Sequence, residues 1–153
     1  MELILWRHAE AEDEGAGVND MQRKLTANGL QQAERMAKWL NKRLPSSTRI
    51  LVSPAQRTQQ TALALGLEFE TIPALAPGAT VDAVLRSAGW PHSPSTVLVV
   101  GHQPTLGLVA ARLLAERLDS WAMQKGAVWW LRNRQRDGQM QVVLQAAQTP
   151  DCI

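Results

Sequence analysis

The sequence predicts a single α/β domain: a three-layer sandwich with a mostly parallel central sheet, helices on both faces and a C-terminal antiparallel hairpin. Short apolar or β-branched runs alternate with segments whose apolar residues recur at helical spacing, the order typical of a parallel sheet. The run from Thr96 to Val100 is rich in β-branched residues throughout, which predicts a strand buried on both faces. A chain of 153 residues suits one domain, and we assign residues 1–153 to it.

The first predicted strand, Leu3 to Trp6, is a short apolar run that ends in charged residues. A polar loop over residues 7–24 follows it. Thr26 then predicts the N-cap of a helix that runs to about Arg43. Apolar residues at i, i+3, i+4 and i+7 spacing give this helix one predicted buried face. Its members are Leu30, Ala33, Met36, Ala37, Leu40 and Leu44.

The second strand, Arg49 to Val52, leads into a helix from about Ala55 to Leu65. Gly66 ends this helix, because glycine tolerates the left-handed backbone of a C-terminal cap. A short strand is predicted at Phe69 to Ile72. A third helix follows it from Thr80 to Ala88, with Thr80 as its cap.

After the strand that ends at Val100, Pro104 suits the first position of a fourth helix, which continues from Thr105 to about Arg117. The last two strands span about Ala127 to Arg132 and Gln139 to Ala146. Between them, Asp137-Gly138 is a strong hairpin signal.

Composition argues against a nucleic-acid or membrane partner. The net charge is only +2, and the one dense basic group is Arg132, Arg134 and Arg136, which we interpret as a solvated turn between the last strands. Trp129 and Trp130 are neighbours on a strand, so they point to opposite faces and cannot form one stacking platform. No apolar stretch approaches the roughly 20 residues of a membrane span.

Cysteine usage and the first residues favour a cytoplasmic protein. Cys152 is the only cysteine, so no disulfide can form within the chain. The start of the sequence has an acidic residue and a short apolar run, which is unlike a secretory signal. We expect a cytoplasmic monomer.

Charged side chains follow three of the predicted strands at the point where each strand ends. Arg7 and His8 follow the first strand, Ser53 and Arg57 the second, and His102 the strand that ends at Val100. The carboxyl ends of parallel strands form the ligand-binding edge of open α/β sheets, so these residues should meet. Arginine forks grip phosphate oxygens two at a time, and the cluster therefore predicts a phosphate site.

These motifs resemble those of the histidine phosphatase superfamily, in particular its short SixA-type phosphohistidine phosphatase branch. The matching segments are Arg7-His8, Leu25 to Gly29, Ser53 to Arg57 with Gln60-Thr61, and Gly101-His102. The resemblance implies a phosphoglycerate-mutase-like fold. One departure is visible: the usual Arg-His-Gly is here Arg7-His8-Ala9. Alanine disfavours a positive φ, so we expect a slightly altered turn with the site retained.

The resemblance also implies roles. His8 would be the nucleophile that carries the phosphoryl group, Arg7, Arg57 and Ser53 would bind phosphate, and His102 would donate a hydrogen bond to the phosphoryl oxygens. No metal or cofactor is expected. Few carboxylates lie near the strand ends, no P-loop motif is present, and Cys152 lies in the tail. His92 lies outside every motif and is interpreted as a surface residue.

The proton donor is not evident from the sequence, where Glu68, Glu70 and Asp82 are only weak candidates. A phosphorus–nitrogen bond to imidazole depends less on an acid than an alkyl phosphate ester does, which favours phosphohistidine as the substrate. About 34 residues separate Thr61 from Thr96, too few for the helical cap of larger relatives. An open site suits a phosphorylated side chain on another protein better than a small metabolite.

Two alternatives stay open. One is a phosphomonoesterase that acts on a small phosphorylated metabolite. The other is a non-catalytic phosphate-binding module, for which Ala9 and the unidentified acid are the motivating features.

Overall fold

A six-stranded sheet runs through the part of the chain that the computed structural model describes, residues 1–15 and 17–153. Ala16, within the predicted loop of residues 7–24, lies outside the described residues. The strands are β1 Glu2–Arg7, β2 Arg49–Val52, β3 Glu70–Thr71, β4 Val97–Gly101, β5 Val128–Arg136 and β6 Gln139–Gln148. The helices are α1 Ala27–Asn41, α2 Gln56–Leu63, α3 Val81–Ala88 and α4 Thr105–Ala115. Short 3₁₀ turns span Asp20–Gln22, Pro73–Leu75 and Pro150–Cys152.

The strand order is β3-β2-β4-β1-β5-β6. The four strands from β3 to β1 are parallel to one another, whereas β5 and β6 form an antiparallel hairpin that pairs with β1. This arrangement confirms the predicted fold class. It also brings the carboxyl ends of β1, β2 and β4 to one edge of the sheet, because parallel neighbours end on the same side.

One apolar core lies between the sheet and the helices on each of its two faces. Helices α1 and α2 cover one face, where Met36, Leu40 and Ala62 pack on Ile4, Trp6 and other strand residues. Helices α3 and α4 cover the opposite face. Trp129 packs against the α3–α4 core and Trp130 belongs to the α1–α2 core, so the two tryptophans point to opposite faces as predicted. Among the described residues, no helix is long and apolar enough to cross a membrane.

The two predicted threonine N-caps are confirmed, but one predicted core residue is wrong. The Thr26 hydroxyl accepts a hydrogen bond from the Gly29 N–H at 2.9 Å, and Thr80 caps α3 in the same way through Ala83. Leu30, however, is 45% exposed. It lies at the edge of the apolar stripe of α1, away from the sheet. Pro104 is the N-cap of α4 rather than its first residue.

The hairpin corrects the interpretation of the basic group. Asp137 and Gly138 have φ angles of 53° and 75°, which is the left-handed backbone of a two-residue hairpin turn. Such a tight turn keeps the strands paired up to Arg136 and Gln139. Arg132, Arg134 and Arg136 are therefore exposed residues of β5, not a turn.

Candidate active site

A pocket of about 240 Å³ opens at the carboxyl ends of β1, β2 and β4. It brings together four of the five residues predicted for the site, Arg7, His8, Arg57 and His102. Ser53 does not line the pocket. The other wall residues are Ala11, Arg23, Pro77, Gln103 and Lys125.

His8 follows β1 and is held in one tautomer. Its backbone N–H donates to the Gly101 carbonyl on β4 at 3.1 Å, which fixes the residue at the strand end. Its Nδ1 lies 2.7 Å from the Ala9 carbonyl oxygen. Because a carbonyl only accepts, Nδ1 carries the hydrogen and the lone pair is on Nε2.

Burial lowers the pKa of His8 to about 4, helped by the positive charges of Arg57 and Arg7 and opposed by the hydrogen bond to Ala9. The imidazole is therefore neutral at pH 7. A neutral ring with a free Nε2 lone pair is the form that attacks phosphorus.

The loop after His8 is clamped by the start of α1 and by α2. The Ala9 N–H donates to the Thr61 hydroxyl at 3.1 Å, and the Glu10 carbonyl accepts from the Thr26 N–H at 3.0 Å. A Cβ at Gly29 would collide with that same Glu10 carbonyl, so only glycine allows this close approach. These contacts explain physically why the Leu25 to Gly29 and Gln60-Thr61 segments accompany a catalytic loop far away in sequence.

The alanine that replaces the usual glycine fits this loop. Ala9 is fully buried and packs with Ala11, Leu25 and Ala33. It is not among the residues with positive φ, so its methyl group imposes no backbone strain.

Hydrogen bonds to the protein hold both predicted arginines, and each arginine keeps N–H donors without a partner in the described chain. Arg57 donates from Nη1 to the Asp20 carbonyl at 2.8 Å and from Nη2 to the Asp20 carboxylate at 3.3 Å. Arg7 donates from Nη1 to the Met123 carbonyl at 2.6 Å. Within the described chain, Nε of each arginine is buried without a hydrogen-bond partner. Burial also lowers the pKa of both groups.

His102 lies in the pocket wall and forms a hydrogen bond with Ser53, which does not line the pocket. His102 Nε2 lies 2.7 Å from the Ser53 hydroxyl, and that hydroxyl accepts from the Ala55 N–H at 3.3 Å. If the Ser53 hydroxyl donates to His102 Nε2, then the hydroxyl, Nε2 and the Ala55 N–H all have hydrogen-bond partners. The imidazole ring of His102 then carries its hydrogen on Nδ1. Nδ1 is buried and unpartnered in the described structure, which suits a donor to a ligand. Ser53 thus contacts His102 and is not among the residues that line the pocket, so its role as a phosphate ligand stays a prediction.

The two histidine rings are neighbours, with centroids 5.4 Å apart and planes tilted by 54°. The pKa of His102 is lowered to about 3, first by burial and then by the charges of His8 and Arg57. Both rings are therefore neutral at pH 7.

Arg23 and Lys125 add positive charge that the sequence interpretation missed. Arg23 Nε donates to the Asp20 carboxylate at 3.0 Å, so Asp20 holds both Arg23 and Arg57. The only available signal was the position of Arg23 two residues before the Leu25 to Gly29 segment. Lys125 comes from the loop before β5, for which the sequence carried no signal.

None of the weak proton-donor candidates lines the pocket. Glu68 and Glu70 border a groove at the opposite end of the sheet, and Asp82 pairs with Arg112 at 2.6 Å. His92 is exposed, as predicted. The described residues that line the pocket include four cations and no carboxylate.

Known proteins with similar sequences and folds identify the family of this chain. The sequence model of the histidine phosphatase superfamily (branch 1) matches residues 3–78. The chain is 33% identical over 121 residues to phosphohistidine phosphatase SixA of Escherichia coli K12, covering 74% of each chain. It is 34% identical over 136 residues to a SixA homolog of Haemophilus influenzae, covering 76% of this chain and 79% of that protein.

A structure from Nakamurella multipartita, provisionally assigned as a SixA phosphohistidine phosphatase, superimposes with a TM-score of 0.81 at 30% identity. The alignment covers 97% of this chain and 95% of that one. A SixA structure in complex with tungstate gives a TM-score of 0.77 at 25% identity, covering 99% and 98% of the two chains. The chain therefore belongs to the histidine phosphatase superfamily, with SixA proteins among its homologues.

Proposed function

We propose that this protein is a phosphohistidine phosphatase, which removes phosphate from histidine-phosphorylated proteins through a covalent intermediate on His8. The observation that carries the proposal is the arrangement of His8: the Ala9 carbonyl fixes its hydrogen on Nδ1, and the residue lines a pocket together with Arg7 and Arg57, whose buried Nε atoms lack partners in the described chain. The SixA relatives by sequence support the substrate class.

In the first step, His8 Nε2 attacks phosphorus while the phosphorus–nitrogen bond of the substrate breaks. The substrate ring, protonated on its other nitrogen, leaves as neutral imidazole. His8, already protonated on Nδ1, becomes the phosphorylated ring. One imidazole replaces another, so charge is conserved and the transfer requires no carboxylic acid. This chemistry fits a pocket lined by four cations and no carboxylate.

Arg7, Arg57 and His102 stabilise the charge on the transferring group. Transfer places negative charge on the equatorial oxygens, where preorganised donors lower the barrier most. The unpartnered Nε of each arginine and Nδ1 of His102 are such donors. Tungstate in the related SixA complex is a tetrahedral oxyanion, as phosphate is, and we propose that the pocket accepts such anions.

In the second step, water attacks phosphorus and the bond to Nε2 breaks. The electron pair returns to Nε2, the proton that water loses stays with the phosphate product, and His8 is restored with its hydrogen on Nδ1. Residues 64–96 between α2 and β4 form only β3, a 3₁₀ turn and α3. We propose that this short segment leaves the rim accessible to a protein substrate. Action as a monomer in the cytoplasm is part of the same proposal.

The test compares substrates. Purified protein is incubated with a histidine-phosphorylated protein, a panel of sugar phosphates and an aryl phosphate, and phosphate release is measured with and without chelator. We expect the largest kcat/KM for phosphohistidine and no effect of chelation. A preference for sugar phosphates would replace the proposal by a metabolite phosphomonoesterase. Vanadate binding without turnover of any substrate would indicate a non-catalytic module.

A further inference from the structure

Leu30 and Leu63 form an apolar groove that neither the cores nor the proposed reaction uses. Leu30 on α1 is 45% exposed and Leu63 on α2 is 63% exposed. The groove between these helices has a volume of about 300 Å³. Its remaining walls are Ala33, Glu34, Gln60 and Ala64.

A small cluster of packed residues around Leu25 lies between the groove and the phosphate pocket. Ala11 lines the pocket and forms an isolated β-bridge with Leu25. The Leu25 N–H donates to Gln60 Oε1 at 2.8 Å, and Gln60 lines the groove. The same apolar cluster continues from Ala11 and Leu25 to Ala33 in the groove wall. The pocket and the groove therefore lie on either side of a single bridge.

The pocket itself offers little to distinguish one protein from another. At about 240 Å³, with four cations in its wall, it suits a phosphoryl group and the ring that carries it. Affinity for a particular protein must then come from contacts outside the pocket. Exposed apolar side chains grouped beside an active site are the kind of surface that supplies such contacts.

We propose that the groove binds the apolar face of a helix that carries the phosphohistidine of the substrate protein. This inference rests on the proposed function. A channel between two packed helices accepts the side-chain ridge of a third helix, whereas a peptide that binds by strand addition would need an open sheet edge. Glu34 on the groove wall favours a basic residue beside the apolar residues of the partner helix.

The axial rise along α2 is compatible with one partner helix that contacts both features. Leu63 lies six residues after Arg57 in α2, about 9 Å along the axis at 1.5 Å per residue. A partner helix with its phosphohistidine over the pocket would bring residues one to two turns away, about 5 to 11 Å, over the groove.

The test uses Leu30→Ser and Leu63→Ser, with Leu118→Ser as the matched control. Leu118 is 84% exposed in the loop after α4, and α4 packs on the other face of the sheet from α1 and α2. Three probes are compared: a helical-bundle protein phosphorylated by phosphoramidate on one surface histidine, an unstructured phosphohistidine peptide, and free phosphohistidine.

We expect each groove variant to lower kcat/KM for the helical protein about 10-fold, mainly through KM, since the lost contact binds ground state and transition state alike. Rates with free phosphohistidine and all rates of the Leu118 variant should be unchanged. Unchanged kcat/KM for the helical protein would overturn the docking inference. An equal loss with free phosphohistidine would also overturn it, because the groove would then act through the pocket.

An equal loss of kcat/KM with the unstructured peptide would overturn the proposal that the groove binds a helix. These outcomes presuppose a wild-type protein that hydrolyses phosphohistidine. A wild-type protein that hydrolyses none of the three probes would instead refute the proposed function, and with it the docking inference.

Discussion

The two ends of the central sheet differ in size and in chemistry. At the amino ends of β2 and β3, an open groove of about 810 Å³ is lined by Leu44, Phe69 and others, and its ionisable residues Arg49, Glu68 and Glu70 are exposed. The pocket at the carboxyl ends is smaller, about 240 Å³, but it buries two histidines and an arginine. The volume of a cavity alone would therefore place the candidate active site at the wrong end of the sheet.

The two ends differ in the folding free energy that is lost by burying polar groups without hydrogen-bond partners. Burying a polar group without a partner costs about 1 to 3 kcal/mol, so such groups persist where a ligand satisfies them. Three such nitrogens, on Arg7, Arg57 and His102, are at the carboxyl end, and they are all that the described residues contain. The exposed charges of the larger groove carry no comparable cost.

The largest expected difference between the two ends comes from Arg57→Lys. Lysine keeps the charge but cannot hold Asp20 and phosphate at once, as the arginine fork can. We expect a loss of about 2 to 4 kcal/mol of transition-state stabilisation, seen in kcat/KM for phosphohistidine, with an unchanged circular dichroism spectrum. Arg49→Lys in the larger groove is the matched control and should have no effect. Near-normal rates in the Arg57 variant would place that residue outside the phosphate site.

Ser53→Ala should have a smaller effect. The variant removes the 2.7 Å hydrogen bond that orients His102 but leaves every group that faces the pocket. We expect kcat to fall about 10-fold with little change in KM, since one hydrogen bond is worth roughly 1 kcal/mol and acts here on a transition-state donor. Ser46→Ala, at the opposite end, should behave as wild type. A raised KM with normal kcat would indicate direct phosphate binding by Ser53 instead.

Protonation of His8 should lower the rate of phosphoenzyme formation less than two-fold between pH 7 and 5. The pKa of His8 is lowered to about 4, so the nucleophile stays neutral until the pH approaches that value. A histidine with its ordinary pKa near 6.5 would lose half its nucleophile at pH 6.5. Rapid-quench measurement of the first turnover distinguishes a nucleophile of pKa about 4 from one of pKa near 6.5. A rate that falls with a midpoint near 6.5 as the pH drops would contradict the burial argument.

The same pKa values predict how stability depends on pH. The unfolded histidines take up protons near pH 6.5, whereas folded His8 and His102 do so only near 4 and 3. The free energy of unfolding should therefore be highest above pH 6.5 and fall progressively as the pH drops toward 3. Urea titrations at several pH values measure this slope.

The smallest effect is expected from the weak proton-donor candidates. Glu68→Gln, Glu70→Gln and Asp82→Asn should each leave kcat within two-fold of wild type, because none of these carboxyl groups lines the pocket. A large loss in any one of them, with phosphohistidine as substrate, would show that an acid reaches the site and that exchange of one imidazole for another does not suffice.

The parts of the site that follow strands could be predicted from the sequence, and the parts that come from loops could not. Arg7, His8, Arg57 and His102 meet because parallel strands end at one edge, which alternation of elements already implies. Arg23 and Lys125 reach the pocket along loops whose paths depend on tertiary contacts, such as the bond from Arg23 to Asp20.

The remaining errors have the same origin. Leu30 does lie at the predicted helical spacing, but its exposure depends on how α2 lies against α1. Periodicity predicts that a helix has an apolar face, not which other element will cover it. The hairpin residues were correctly identified at Asp137-Gly138. The length of β5 followed from pairing with β6, so the basic residues of β5 were mistaken for a turn.

The most direct test of the account is to locate the phosphoryl group during turnover. Protein mixed with a ³²P-labelled histidine-phosphorylated substrate is quenched within milliseconds, digested and analysed by mass spectrometry. The account predicts label on His8, stable in alkali, labile in acid and missing from His8→Ala. Label on Ser53 or on a carboxylate, or turnover that persists in His8→Ala, would contradict the claim that the buried, neutral histidine at the carboxyl end of β1 is the nucleophile.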